Sequence, residues 1–187
     1  MAVFLATQVF PQLLPEARAV SYECTSVGMS TRSFKITYDT IINDVWLGYF
    51  ATARSRWNGA TGSGVNLDVV AKSTNTWIGI MTAARYPDTK DYAWLGIYIP
   101  KTNILKQATG FTIQVNAAQI ENNVTPGSTQ FANWVRSTAT HELGHPIRLK
   151  DNPVSGGSNI LMSHYRDRNV IGSPTAYDIA NVKECYK

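Results

Sequence analysis

The apolar patterns along this chain predict an α+β fold: a mixed, twisted five-stranded sheet that carries two long helices and is closed by a third, C-terminal one. Three observations predict it. Five short runs rich in β-branched and aromatic residues read as strands. Two longer stretches place apolar residues at three- and four-residue steps, the signature of a helix lying on a sheet. With 187 residues, 44% of them hydrophobic, the chain suits one sizeable core.

The elements follow in order. SFKITY (Ser33 to Tyr38) is the first strand, with Phe34, Ile36 and Tyr38 on one face. Asp39 is the expected N-cap of a helix whose stripe is Ile42, Val45, Trp46, Tyr49, Phe50, Ala53 and Trp57, ended by the turn residues of NGATGSG. VNLDVV (Val65 to Val70), TWIGIMT (Thr76 to Thr82), AWLGIYIP (Ala93 to Pro100) and FTIQVNAAQI (Phe111 to Ile120) are four further strands. TPGS (Thr125 to Ser128) opens a second long helix with Phe131, Trp134, Val135 and Ala139 on one side. After a loop rich in Gly, Ser and Asn comes the last helix, with Ser173 as cap, Pro174 at its first position, and Ile179, Val182 and Tyr186 facing inward.

Seventeen Lys+Arg against thirteen Asp+Glu give a mild net charge of +4, and no basic run alternates with aromatics as a nucleic-acid groove requires. No apolar segment reaches the roughly 18 residues of a membrane helix. Residues 1–19 hold a short apolar run ending in Ala17-Arg18-Ala19, which reads as a signal-peptide remnant and makes 20–187 a single exported domain, expected to act as a monomer. In such a chain Cys24 and Cys185, near its two ends, are expected to form a disulfide; the sharper alternative makes Cys24 a thiolate that caps a metal.

The chemistry concentrates in HELGH. Residues four apart on a helix point nearly the same way, so His141 and His145 can aim both imidazoles at one ion, with Glu142 beside it as a base. A catalytic zinc site needs a third protein ligand. Asp151, six residues on, and His164 are the candidates. Asp88 and Asp91 in YPDTKDY are two loop carboxylates, too few to define a Ca2+ site.

HELGHPIRLKD resembles the metzincin zinc signature HExxHxxGxxH/D in the aspartate version of snapalysin-like proteases. SNILMSHY resembles that clan's Met-turn, SPTAYDIANVKECY the closing helix of matrixins and their bacterial relatives, and FKITYD their first strand. The resemblance spans most of the chain after about residue 30. It implies a secreted endopeptidase with one zinc on His141, His145 and Asp151, Glu142 as general base and Met162 as the floor of the site. It further implies that Asp178 holds an N-terminal group or the Met-turn backbone. Substrate would lie extended along AWLGIYIP, with the segment from His164 to Ser173 walling the primed side. His164 would stand at the pocket rim, and Tyr165 would donate to a developing oxyanion.

Two residues depart from the pattern. Arg148 stands where the family has glycine, at a cost on the order of 1–2 kcal/mol if φ is positive there. Pro146 lacks an amide proton and crowds the preceding turn, a cost of about 3 kcal/mol inside a helix and less at its end. Zinc sites contribute roughly 10 kcal/mol or more, enough to offset both. The expectation is therefore a formed site with an early helix exit. The rival reading is a metzincin-like secreted binding protein whose site has decayed. A thermolysin-like site would need a downstream helical glutamate, and Glu184 comes too late.

Overall fold

A computed structural model describes residues 24–87, 89–152 and 157–187. The fold is α+β, with a five-stranded mixed sheet and four α-helices among those residues. The strands are β1 (Ser33–Tyr38), β2 (Asn66–Val69), β3 (Gly79–Ala84), β4 (Gly96–Thr102) and β5 (Ala108–Asn116). Their spatial order is β2-β1-β3-β5-β4; every pairing is parallel except β4 with β5, which is an antiparallel hairpin. This leaves β4, the strand within AWLGIYIP, as one edge of the sheet.

The long helices α1 (Asp44–Asn58) and α3 (Thr129–Glu142) pack on each other, and the Trp57 indole nitrogen donates to the Thr140 carbonyl at 2.7 Å. Phe50, Ala53 and Trp57 from α1, Val135 and Ala139 from α3, and Ile36, Leu67, Met81 and Ile113 from the sheet are fully buried together. Burial of such side chains contributes about 1.5–3 kcal/mol each, so this layer fixes where α3 delivers its C-terminal end. A short α2 (Ala117–Glu121) precedes α3, and α4 (Ala176–Cys185) closes the chain.

Several boundaries differ from the sequence reading. The cap of α1 is Asn43, whose side chain accepts from the Trp46 amide, because the Asp39 amide continues the sheet by donating to Met81 and the Asp39 carboxylate pairs with Lys72 at 2.9 Å. Val45 is 58% exposed, outside the buried stripe. The last residues of FTIQVNAAQI form α2 instead of strand. Ser173 does not cap α4: Thr175 does, in a reciprocal capping box with Asp178, and the buried face carries Asp178, Asn181, Val182 and Cys185 while Ile179 is half-buried.

Cys24 and Cys185 are joined in a disulfide, so Cys24 is not a metal-capping thiolate. No helix among the described residues is long and apolar enough to cross a membrane. The leader at 1–19 and Asp88 lie outside the described residues, and Asp91 is exposed.

Candidate metal centre

Helix α3 ends at Glu142, one turn short of the second histidine. From there the amides reach back three residues rather than four: Gly144 to His141 at 2.8 Å, His145 to Glu142 at 3.2 Å and Arg148 to His145 at 2.9 Å. Pro146 sits inside this tightened exit, where its missing amide leaves no helical bond broken. Arg148 then takes φ 72, the left-handed geometry a glycine would favour. Its guanidinium is not merely solvated: it donates to the Cys185 carbonyl at 3.0 Å and lies 5.5 Å from the Tyr186 ring centroid.

The exit turns His145 back toward His141, with ring centroids 5.1 Å apart. Each imidazole is held from behind. His141 Nδ1 lies 2.9 Å from the Leu161 carbonyl, and His145 Nδ1 lies 2.9 Å from that of Leu149. Protons on those nitrogens would leave both Nε2 lone pairs free for a metal, and Asp151 Oδ1 stands 2.9 Å from His141 Nε2 and 3.7 Å from His145 Nε2; Arg166 Nη1 also lies 3.1 Å from His141 Nδ1. The three ligand atoms lie within 4.8 Å of one another.

Electrostatics favours the protonation states a metal needs. Burial, reinforced by the Arg166 charge, drops the His141 pKa to about 3, and burial lowers that of His145, so both rings are neutral. Asp151 is lowered to about 2; burial opposes its ionisation, but the imidazoles around it outweigh burial. Two neutral imidazoles and an ionised carboxylate, with Asp151 Oδ1 buried and lacking any other hydrogen-bond partner, form a donor set that fits a divalent cation of borderline softness.

Glu142 lies beside this set, with Oε2 3.7 Å from His145 Nε2. Burial, then the Asp151 charge, raises its pKa to about 8. A Cβ on Gly96 would fall 2.8 Å from Glu142 Cγ and 2.5 Å from Thr138 Cγ2, so β4 passes this close only because residue 96 has no side chain. Tyr98, also on β4, packs on His145 with centroids 5.8 Å apart. The result is a cleft of about 540 Å³ between β4 and the ligand loop.

Met162 lies beneath: a Cβ on Gly144 would collide with its sulfur. The Met-turn backbone is held by Asp178, whose carboxylate accepts from the Leu161 and Met162 amides at 3.0 and 3.2 Å. His164 stands at the cleft rim, its Nε2 3.5 Å from Asp151 Oδ2, while Tyr165 is 75% exposed. Gly96, Arg166 and Arg168 line the cleft within the two segments expected to flank the substrate, AWLGIYIP and His164 to Ser173; Thr138, which also lines it, was missed. Arg166 is a basic residue four places beyond Met162, but its burial could not be foreseen.

Fold and site together define an α+β protein in which two histidines and one aspartate that could hold a metal ion line a cleft beside a sheet edge. No known protein-family model matches the chain, and no curated protein is similar enough to it to count as a relative.

Proposed function

We propose that this protein is a secreted zinc-dependent endopeptidase of metzincin type. The observation that carries the reading is the convergence of His141, His145 and Asp151 next to a buried glutamate on the floor of a cleft open along a strand edge. The disulfide between Cys24 and Cys185 supports export. Bound by these three ligands, zinc would supply Lewis acidity toward water and toward a carbonyl oxygen.

The chain's own groups then divide the work. The exposed edge of β4 pairs with an extended peptide backbone, which gives affinity with little demand on sequence. Glu142 accepts a proton from the attacking water and returns it to the leaving amine. Its raised proton affinity suits a group that must do both near neutral pH. Leu161 and Leu149 hold the histidine rings in the ligating tautomer, and Asp178 holds the turn that presents Leu161.

The rival, a decayed binding protein, drew its motive from Pro146 and Arg148. Against it stands the tightened exit, which accommodates both residues and still turns His145 onto the site. Glu142→Ala separates the readings. We expect full zinc stoichiometry by metal analysis with casein hydrolysis reduced on the order of 10²–10⁴-fold or more. A chelator should abolish hydrolysis by the unaltered protein. Undiminished hydrolysis in the variant would remove Glu142 from the mechanism, and a zinc-loaded wild type inert toward casein and gelatin would favour the rival.

A further inference from the structure

Two arginines line the cleft, and neither supplies a ligand or a proton to the hydrolysis described. Arg166 is structurally committed: it donates to the Ser163 carbonyl at 2.7 Å and to Ser137 Oγ at 3.1 Å, binding the Met-turn segment to α3. Arg168 is not. Its guanidinium carbon lies over the Trp134 ring, 5.2 Å from the centroid, a contact that satisfies none of its N–H donors. Its Nε is buried with no hydrogen-bond partner, and it enters no ion pair among the described residues.

A second orphan lies on the same wall. Thr138, 2% exposed, has a buried hydroxyl without a partner. Trp134, Thr138 and Glu142 recur at four-residue steps, so they form one stripe along α3, and both Thr138 and Glu142 line the cleft. A guanidinium on a cleft wall that enters no ion pair among the described residues can take its partner from a ligand in the cleft. The charges agree. Arg166 and Arg168 face Asp151 and Glu142, and a divalent ion on the ligand set would leave the cleft net positive.

We propose that Arg168, lying over the Trp134 ring on the wall of the cleft, is a carboxylate-recognition subsite, which makes the preferred substrates extended acidic peptides. This rests on the endopeptidase reading and names its substrate class. Trp134 lies eight residues, about 12 Å, before Glu142 along the helix, the span of three to four extended residues. The recognised Asp or Glu therefore lies within about three residues of the cleaved bond. The planar guanidinium fork presents paired donors to the two carboxylate oxygens, a match an amide cannot reproduce.

The test uses the full chain carrying Glu142→Gln, loaded with zinc, and fluorescein-labelled decapeptides that differ only by one Glu or Gln. Fluorescence anisotropy should show the Glu peptide bound at least about ten-fold more tightly, with the ratio shrinking as salt rises. Adding Arg168→Gln should bring the ratio below two-fold. Adding Arg168→Glu should reverse it in favour of a Lys peptide, a gain that misfolding cannot produce. Equal binding of Glu and Gln peptides, or a preference that survives Arg168→Gln, overturns the subsite. Unaltered protein that cleaves both peptides equally also overturns the subsite while sparing the peptidase. Selective binding of the Glu peptide without any cleavage by the unaltered protein keeps the subsite and sinks the peptidase.

Discussion

The helices α1 and α3 lie side by side, yet they end by opposite means. Helix α1 obeys local rules: Asn43 caps it, Arg56 sits in its last turn, and the Gly59 amide closes it by donating to Ser55 at 2.8 Å. Helix α3 starts as regularly, with Ser128 as cap, then leaves through a proline and a left-handed arginine. Its exit is held by distant parts of the chain. The Thr25 and Met29 amides donate to the Arg148 and Pro146 carbonyls, both at 2.8 Å, Cys24 bridges to Leu149, and the disulfide ties that segment to α4. Where local preference is violated, tertiary contacts over-determine the conformation, and here the violation coincides with the candidate metal centre.

The largest effect expected from this contrast is metal-linked. Helix α3 and its exit supply all three candidate ligands, His141, His145 and Asp151, whereas α1 supplies none. Zinc at about a thousand times its dissociation constant should stabilise the fold by about 4 kcal/mol, raising Tm by roughly 8–16 °C for a chain of this size. Differential scanning calorimetry with and without chelator measures it. His141→Ala should abolish the shift, and a shift that persisted would move the metal elsewhere.

Glycine replacements probe the two ends directly. A Cβ on Gly28 would meet the Arg148 amide and Cα at 2.8 Å, backbone atoms that cannot yield without disturbing the ligand loop. Gly28→Ala should cost about 1–3 kcal/mol and weaken zinc binding. Gly48, exposed in the middle of α1, has nothing within 4 Å of such a Cβ. Gly48→Ala should therefore stabilise by about 0.5–1 kcal/mol and leave zinc binding unchanged. Urea titration reads both signs, and like signs would break the comparison.

The same contrast explains what the sequence made legible. Periodicity located all five strands and both long helices, because Phe50, Trp57, Val135 and Ala139 must face the sheet. The spacing of His141, His145 and Asp151, the Cys24–Cys185 pair and the role of Asp178 were also readable. Misreadings arose where two residues could serve one local purpose: Asp39 and Asn43 can both cap, and only the sheet bond from the Asp39 amide to Met81 decides between them. Which residue of the expected cleft wall is buried was unreadable for another reason. Nothing local distinguishes a buried Arg166 from the exposed Asp167 beside it; the Ser137 hydroxyl that receives Arg166 lies 29 residues away.

Arg148 gives the smallest expected effect and the finest test, because its strain and its support nearly cancel. Arg148→Gly relieves about 1–2 kcal/mol of left-handed strain. It also forfeits the bond to the Cys185 carbonyl, about 1 kcal/mol, and the contact with Tyr186, about 0.5–1 kcal/mol, and it frees the unfolded chain. The net change should stay within about 1 kcal/mol of zero, with zinc affinity altered little. Arg148→Ala keeps the strain and loses the support, so it should destabilise by about 1.5–2 kcal/mol. A glycine variant clearly more stable than the parent would mean that the arginine's contacts contribute nothing and that the exit is tolerated strain. An alanine variant as stable as the glycine one would mean that φ at this position carries no cost, which would remove the distinction between the two helix ends.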